Sequence, residues 1–302
     1  MSDGRLTIAP EVVRKMLDEQ FPALAALPLR RVEKDGWDNN TFRLGDELKV
    51  RLPSAAGYVP QVEKEFNWLL KLAKHLPVAV PEPVALGKPT ADYPYPWSVY
   101  RWIEGETASA ESIRDMNEFA RDLAAFLHAL WAAETTGAPE AGEHNCYRGG
   151  DLSVYDEETR FCLSGVTDLI DADAALMIWE QALRSKWEKP AVWVQGDLSN
   201  GNILTRDGRL SAVIDFGLCT VGDPACDLVI TWKFFSGVNR EIFKTAVNID
   251  QNTWDRAIGW ALWKAVRTLF YARKDNIAEE QREAKTVIEA ILSDAKLVTT
   301  KT

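Results

Sequence analysis

The sequence predicts an α+β fold of two lobes, a small β-rich lobe over residues 1–104 and a larger helical lobe over residues 105–302. Short alternating apolar runs separated by turn residues fill the first third, and long segments with helical periodicity follow. The first 105 residues hold 14 basic and 14 acidic side chains, so the net charge of −10 lies entirely beyond them. We expect a cleft between the two lobes, and such clefts commonly bind ligands.

The β-rich lobe begins with an amphipathic helix over residues 10–20, which has a proline at its start. Three short strands, "LRRVE", "TFRLG" and "ELKVRL", form a predicted meander joined by the turn-rich residues 34–40 and 45–46. A helix over residues 61–75 carries an apolar stripe and ends before a group of prolines. The run "WSVYRWIEGE" then predicts a buried strand that enters a turn at Gly105.

The second lobe is predicted to be mostly helical and shows no internal repeat. The candidate helices lie near residues 110–133, 166–188, 224–236, 253–274 and 277–296. A hairpin interrupts them, because Asp207-Gly208, a strong turn signal, lies between two short apolar runs.

The composition excludes several classes of protein. No apolar run approaches the roughly 20 residues that span a bilayer, and the first residues lack the layout of a secretory signal. The four cysteines have neither metal-binding nor disulfide spacing, so we expect free thiols and a cytoplasmic protein. A net charge of −10 argues against nucleic acid as a partner, since phosphate binding requires basic surfaces.

The stretch "WVQGDLSNGNILTRDGRLSAVIDFG", residues 193–217, places Asp197, Asn202 and Asp215 in an apolar frame. Folding of the hairpin returns Asp215 toward the other two residues. Carboxylate and amide oxygens suit Mg²⁺, which keeps waters and substrate phosphates among its ligands. Phosphoryl transfer needs such a metal, a carboxylate that orients the attacking hydroxyl, and a basic residue on the nucleotide. The stretch therefore indicates phosphoryl transfer.

The segments "QGDLSNGN", "VIDFG" and "VGDPACDL", in this order, resemble the aminoglycoside phosphotransferase family, whose fold is protein-kinase-like. The resemblance covers most of the chain. It implies that Asp197 is the catalytic carboxylate and that Asn202 and Asp215 bind magnesium. It also implies that Asp223 and Asp227 hold the loop behind the catalytic site.

One residue departs from the family pattern. Gln195 stands two positions before Asp197, where the family usually has a histidine that supports the loop. A glutamine side chain both donates and accepts hydrogen bonds, so we expect the loop to keep its shape. The same residue is the one observation in favour of a catalytically silent nucleotide-binding protein.

The resemblance also implies a basic residue on the third strand that contacts nucleotide phosphates and pairs with a helical glutamate. Alignment of "ELKVRLP" assigns Arg51 to this position with Glu65 as its partner. Lys49, on the same face of the strand, is the reserve. The phosphate-covering turn "GWDNN" offers Asn39 and Asn40 to phosphate oxygens. A surface ion pair and an ordinary hairpin turn are the alternative interpretations.

The run "WSVYRWIEGE" resembles the segment that connects the lobes in the family, where backbone groups meet the nucleotide base. Matching its terminal glycine places the backbone of Arg101 and Ile103 at the base and Tyr100 beside it. The resemblance implies ATP or GTP as the phosphoryl donor. The bulky Tyr100 side chain can influence whether ATP or GTP binds, and the sequence leaves that choice open.

The expected acceptor is a hydroxyl of a small molecule, and a cationic aminoglycoside is the leading class. Seven acids and one base lie between residues 151 and 173, in the region that contributes acceptor contacts in the family. They predict either solvated helix faces or an anionic rim that attracts a cation. Macrolides, choline-like alcohols and sugars remain open as acceptors. A protein kinase is disfavoured, because a glycine-rich loop and an activation-segment signature are absent.

Overall fold

The computed structural model describes residues 5–33 and 36–299, with a five-stranded antiparallel sheet in the first part and helices in the second. Lys34 and Asp35, which begin the turn predicted between the first two strands, lie outside the described residues. The elements of this front lobe are α1 (Pro10–Gln20), β1 (Leu29–Arg31), β2 (Asn39–Leu44), β3 (Leu48–Pro53), α2 (Val59–Leu72), β4 (Pro83–Gly87) and β5 (Trp97–Arg101). The order of the strands in the sheet is β1-β2-β3-β5-β4.

The core of the front lobe follows the alternation of strand side chains. In β3, Leu48, Val50 and Leu52 are buried in the same apolar cluster as α1. Lys49 and Arg51 are only half-buried, because successive side chains of a strand point to opposite faces of the sheet. The two basic residues therefore share one face, as the sequence predicted.

The sequence does not predict β4, because its run begins at a proline within a proline-rich segment. A strand tolerates proline at its first residue, and β4 lies at the edge of the sheet. It pairs with β5 from Pro83, opposite Tyr100, to Gly87, opposite Trp97. The indole of Trp97 covers Gly87 so closely that an added Cβ would lie 2.0 Å from a ring atom. The packing at this edge therefore requires glycine.

The rear lobe places a small strand system in front of a layer of helices. Its elements are β6 (Glu106–Thr107), α3 (Met116–Trp131), α4 (Asp156–Ser164), α5 (Ala172–Arg184), β7 (Val192–Val194), β8 (Ile203–Arg206), β9 (Arg209–Val213), β10 (Thr220–Gly222), α6 (Ile230–Lys233), α7 (Gly237–Val247), α8 (Gln251–Lys274) and α9 (Ala278–Thr299). The predicted hairpin is β8 and β9. Asp207 and Gly208 join them with φ angles of 53° and 78°, which suit the mirror-image turns of hairpins.

Several helix boundaries differ from the prediction, and the helix predicted near 110–133 begins at Met116. The predicted helix 166–188 begins only at Ala172, because the Asp171 carboxylate accepts a backbone N–H at 3.1 Å and caps the helix there. The predicted helix 224–236 is a 3₁₀ helix, Pro224–Val229, followed by one turn of α-helix. Periodicity does not predict α4 and α7, since their first turns are rich in acids or begin with glycine.

The two lobes are joined by packing as well as by the chain. Leu69 and Leu72 of α2 belong to the apolar cluster of the rear lobe, together with Tyr100 of β5. The Trp68 ring lies 5.0 Å from the ring of Trp193 in β7. Helix α2 therefore packs on the rear lobe, although the chain order assigns it to the front lobe. No helix within the described ranges combines the length and hydropathy needed to cross a membrane.

Candidate active site

The loop after β7 and the end of β9 meet where the two lobes face each other. Asp197 lies in this loop, Asn202 ends a short 3₁₀ turn before β8, and Asp215 follows β9. The Asn202 Nδ2 donates to the Asp197 carbonyl oxygen at 3.0 Å. The Ile214 N–H donates to the Asn202 carbonyl oxygen at 2.8 Å. The hairpin thus brings together the three residues that stood out in the sequence.

The buried side chain of Gln195 connects the two halves of this site. Its Nε2 donates to the backbone carbonyl oxygens of Ile214 at 3.1 Å and Asp215 at 2.5 Å. Its Oε1 accepts from the Asp197 N–H at 2.8 Å. The glutamine uses its donor and its acceptor together, so the loop is supported in the way the sequence predicted.

The two aspartates behind the loop are structural. The Asp227 carboxylate accepts the N–H groups of Gln195 and Gly196, each at 2.8 Å. Burial raises the pKa of Asp227 to about 7, against the effect of these two hydrogen bonds. Asp223 accepts from the Arg256 Nε at 2.6 Å in a pair that is almost wholly buried. Asp227 therefore fixes the backbone that precedes Asp197, whereas Asp223 anchors Arg256 of α8.

Arg51 crosses the cleft and links strand β3 to the rear lobe. Its Nη1 lies 3.0 Å from Glu65 Oε2 on α2, and its Nη2 lies 3.4 Å from Asp215 Oδ1. Burial works against the charged guanidinium, but the charges of Glu65 and Asp215 outweigh it and raise the pKa of Arg51. The predicted pair of Arg51 and Glu65 is thus present, and it extends to Asp215.

Two further groups of the front lobe surround this pair. The Tyr100 hydroxyl donates to Glu65 Oε2 at 2.5 Å, and burial, followed by the charge of Glu65, raises the pKa of that phenol well above its usual value. Lys49 feels the desolvation of the same region and the like charge of Arg51, which lower its pKa to about 8. Lys49 is therefore a second basic group near Arg51, and it is the one that titrates near neutrality.

The structure separates the two asparagines that the sequence grouped in one turn. Asn39 lines a small cavity together with Arg51 and Glu65. The Asn40 Nδ2 instead donates to the Leu6 carbonyl oxygen at 2.9 Å, and its Oδ1 accepts from the Arg31 Nη2 at 2.9 Å. Both residues lie in β2, where neighbouring side chains point to opposite faces. Asn39 thus lies on the side of the sheet that carries Arg51, whereas Asn40 holds the N-terminal segment to the sheet.

The connection between the lobes starts where β5 ends. The Arg101 N–H donates to the Glu82 carbonyl oxygen at 2.9 Å, and the Trp102 N–H donates to the Glu47 carbonyl oxygen at 2.7 Å. The Arg101 side chain is exposed and lies 3.6 Å from a Glu82 carboxylate oxygen. Its guanidinium therefore lies at the surface beside Glu82, and the Arg101 N–H is already engaged. A contact of the Arg101 and Ile103 backbone with a nucleotide base stays a prediction.

Basic side chains that the sequence did not single out lie beside Asp197. Lys264 of α8 places its Nζ 2.5 Å from Asp197 Oδ1. The Arg148 guanidinium lies 4.5 Å from the ring centroid of Trp263, and both residues line a small cavity with Asp197. Sequence offers no signal for these contacts, because Lys264 is 67 residues away from Asp197 and has no motif around it.

The acidic run between residues 151 and 173 does not form an unpaired rim. Its members are mostly exposed, but most of their carboxylates are already engaged. Five of the seven cap helices, accept hydrogen bonds or pair with basic groups: Asp151, Asp156, Glu158, Asp168 and Asp171. Of the two interpretations of this run, the arrangement supports solvated helix faces.

The donors near Asp215 suit a magnesium ion that arrives with a nucleotide. Among the side chains that the structure describes, no group of three His, Cys, Asp or Glu residues could hold a metal by itself. Asp215 and Asn202 nevertheless offer hard oxygen atoms on adjacent loops, and the Asp215 carboxylate is 42% exposed. Mg²⁺ at phosphoryl-transfer sites takes one or two protein oxygens and completes its shell with phosphates and water. The residues fit that pattern.

The fold is similar to that of known phosphotransferases. The structure of the GDP and kanamycin complex of APH(2")-IIia shares 19% identity and a TM-score of 0.71, over 94% of this chain and 98% of that chain. A macrolide 2'-phosphotransferase type I shares 21% identity and a TM-score of 0.61, over 93% and 97%. Macrolide 2'-phosphotransferase MphH from Brachybacterium faecium shares 21% identity and a TM-score of 0.60, over 92% and 97%. No curated protein matches the chain by sequence.

These likenesses confirm the predicted two-lobed, protein-kinase-like α+β fold. A model of the phosphotransferase enzyme family matches residues 29–260, a segment that contains strand β3, the loop with Asp197 and the first turns of α8. Because this match spans most of the sequence, the chain belongs to the phosphotransferase enzyme family.

Proposed function

We propose that the protein uses Mg²⁺ to transfer the γ-phosphoryl group of ATP or GTP to a hydroxyl of a small molecule. The observation that carries the proposal is one continuous network across the cleft. It runs from Asp197 through Gln195 to Asp215, and from there through Arg51 to Glu65. Such a network would position nucleotide phosphates, metal and acceptor relative to one another, which is most of what phosphoryl transfer requires from a protein.

The front lobe would hold the nucleotide. Arg51, fixed by Glu65, and the nearby Asn39 face the expected position of the phosphates. Backbone groups of Arg101 and Ile103 are left for the base. An arginine is suited to the phosphate position because it is permanently charged and forms paired hydrogen bonds with phosphate and carboxylate.

The rear lobe would supply the chemistry. Asn202 and Asp215 would hold Mg²⁺, which neutralises charge on the phosphates when it is bound. Asp197 would orient the acceptor hydroxyl and receive its proton as the hydroxyl oxygen bonds to the γ-phosphorus and the bond to the departing nucleoside diphosphate breaks. Lys264 contacts only Oδ1 of Asp197, so Oδ2 is left for the hydroxyl. The intact loop around Gln195 supports turnover over a catalytically silent nucleotide-binding role.

The charge distribution bears on the acceptor. The solved structures with this fold include complexes with kanamycin, streptomycin and gentamicin, and macrolide phosphotransferases. A polycationic acceptor would need unpaired acids, whereas the acidic run is engaged and Arg148 and Lys264 stand beside Asp197. The site therefore supports a small-molecule alcohol, and it disfavours the cationic aminoglycoside that was the leading expectation.

Substitution of the two carboxylates tests the assignment of roles. Asp215→Ala should weaken Mg²⁺-dependent nucleotide binding, because a metal ligand is lost, whereas Asp197→Ala should leave that affinity nearly unchanged. Each variant should lose most turnover, and removal of the general base should cost about 10²–10⁴-fold in kcat. The measurements are calorimetric titration with nucleotide and Mg²⁺ and an assay of nucleotide consumption.

Asp173→Asn, which neutralises an exposed acid outside the cleft, is the matched control and should behave like the wild type in both assays. If Asp197→Ala abolished nucleotide binding and Asp215→Ala spared it, the two roles would be exchanged. If nucleotide bound equally well with and without Mg²⁺, the proposed metal site would be wrong.

A further inference from the structure

A cavity of about 520 Å³ opens beside Asp197 between α6, α8 and α9. Much of its wall is apolar, and Val229, Trp232, Phe234 and Val287 contribute the largest of these side chains. Lys264 belongs both to this wall and to the small cavity that contains Asp197. A molecule in the large cavity would therefore lie next to the proposed catalytic carboxylate.

The charged residues of this cavity are mainly basic. Lys233, Lys264 and Arg282 line it, and Glu283 is the acid among them. Lys264 pairs with Asp197, and Arg282 lies 3.0 Å from Glu279 outside the cavity wall. Within the part of the chain that the structure describes, Lys233 forms no ion pair. Lys233 is thus a basic side chain of the cavity wall without an ion pair among the described residues, and Glu283 is the acid that shares the wall with it.

The two lysines influence each other across the cavity. Lys233 is exposed at the cavity mouth, yet the protein around it lowers the pKa of its ammonium, and the like charge of Lys264 lowers it further. Asp197 and Glu283 act in the opposite direction without reversing the shift. Arg148 adds a further positive charge on the other side of Asp197. An anion placed between Lys233 and Lys264 would relieve this repulsion, whereas a polycation would increase it.

We propose, on the basis of the proposed phosphotransfer, that the acceptor is a hydroxyl-bearing organic anion with an apolar body, held by Lys233 and Lys264. The apolar wall buries the body of the acceptor, and the lysines bind its carboxylate or phosphate group. Each such charge-assisted hydrogen bond is stronger than a neutral one. Because the anion shares Lys264 with Asp197, its arrival weakens the hold of the lysine on the carboxylate. Binding of the correct acceptor thereby makes the Asp197 carboxylate a stronger acceptor for the proton of the hydroxyl.

Calorimetric titration of the full chain with matched probes tests the inference. The probes are ω-hydroxydecanoate, its amide, and the phosphate monoester of a straight-chain diol of matching length. They share the terminal hydroxyl and the apolar chain and differ in the head group. We expect at least one anion to bind about tenfold or more tightly than the amide, as a charge-assisted hydrogen bond implies. The two anionic probes then show whether a carboxylate or a phosphate is the preferred group.

Lys233→Gln should remove most of the preference for the anion, by about tenfold, while leaving the affinity for the amide unchanged. Lys274→Gln removes the same charge from an exposed position outside the cavity and should keep the preference. Equal affinities for anions and amide in the wild type would overturn the inference. Equal losses in Lys233→Gln and Lys274→Gln would also overturn it, since they would indicate a general effect of charge.

An assay of phosphoryl transfer to the same probes and to kanamycin separates this inference from the proposed function, with Asp197→Ala as the inactive control. If the anion bound through Lys233 but no probe was phosphorylated and Mg²⁺-nucleotide did not bind, the proposed function would fail and the anion site would stand. If kanamycin or the amide was phosphorylated as efficiently as the anions, the function would stand and the anionic acceptor would be wrong.

Discussion

Gln195 shows how a single side chain can replace another without loss of geometry. The loop needs one acceptor for the Asp197 N–H and donors for the carbonyl oxygens of Ile214 and Asp215, and the amide supplies both. A neutral imidazole also has one donor and one acceptor. The physical requirement is therefore for a pair of complementary groups, and not for one residue type.

The substitution of Gln195 follows from this requirement. Gln195→His should fold and keep phosphotransfer, whereas Gln195→Leu leaves buried backbone groups unpaired, at a cost of about 1–3 kcal/mol for each group. Urea unfolding and the kcat of each variant measure the two effects. Gln195→Glu should be at least as damaging as Gln195→Leu, because it buries a carboxylate against the carbonyl oxygens of Ile214 and Asp215. A Gln195→Leu variant with wild-type stability and kcat would show that these hydrogen bonds do not support the loop.

At the scale of elements, strand β3 carries two basic residues with different roles. Arg51 is held by Glu65 and Asp215, whereas Lys49 is desolvated beside Arg51 and its pKa falls to about 8. Because folding lowers the pKa of Lys49, its charge reduces the free energy of unfolding at pH values where the lysine is protonated in both the folded and the unfolded protein. This reduction disappears as the pH rises from the pKa in the folded protein toward the higher pKa in the unfolded protein. Phosphates bound nearby would favour the charged form of the lysine.

Nucleotide affinity should therefore depend on the ionisation of Lys49. We expect the affinity for Mg²⁺-nucleotide to fall as the pH rises from about 7 to about 9, because Lys49 loses its proton with a pKa of about 8. Lys49→Arg stays charged and should keep a flat profile, and Lys49→Met should be flat and weaker. Dissociation constants at several pH values give the profile. A wild-type profile as flat as that of Lys49→Arg would place Lys49 away from the phosphates.

Acids of the run between residues 151 and 173 cap helix α5 and form ion pairs on the surface. Substitutions can measure how much each of these interactions stabilises the protein. Asp171 caps α5, so Asp171→Ala should cost about 0.5–2 kcal/mol of unfolding free energy. Asp168 forms an exposed ion pair with Arg273, and such pairs contribute about 0–1 kcal/mol. Asp168→Asn with Asp173→Asn should therefore be nearly neutral, as urea unfolding would show. An increase in the acceptor KM of this double variant would instead support an anionic rim.

At the scale of the whole molecule, the lobes depend on a shared apolar interior. Helix α2 places Leu69 and Leu72 in the cluster of the rear lobe, and Trp68 packs on Trp193. The predicted boundary between residues 104 and 105 lies in the segment that connects the two lobes. It assigns α2 to the front lobe, although this helix packs on the rear lobe. A fragment that began at residue 105 would expose the apolar surface that α2 covers.

We therefore expect the two lobes to unfold together. Far-ultraviolet circular dichroism and tryptophan fluorescence should follow one urea transition, because separation of the lobes would expose the Trp68 and Trp193 contact and the apolar face of α2. Trp68→Ala should reduce this coupling and separate the two signals. Two resolved transitions in the wild type would contradict the prediction and would favour lobes that are independently stable.

The sequence determined the parts of this protein that depend on neighbours in the chain. Helix α1 and strands β2 and β3 follow from periodicity, and the β8–β9 hairpin follows from Asp207-Gly208. The hairpin is also why Asp197, Asn202 and Asp215 could be grouped before their positions were known. Local signals failed where they conflicted. In β4 the prolines argue against a strand, although the segment forms an edge strand of the sheet. They also failed at Asn40, because the register of β2 decides which asparagine faces the cleft.

The tertiary structure decided which charges meet. The sequence showed that the excess of acids lies beyond residue 105, but it did not show that those acids engage bases and helix ends. Lys264 reaches Asp197 from 67 residues away, and Lys233 joins it through the packing of α6 on α8. Electrostatic interactions act through space over distances of several ångströms, whereas composition counts charges along the chain. The sign of the charge around the acceptor is therefore a property of the packed lobe.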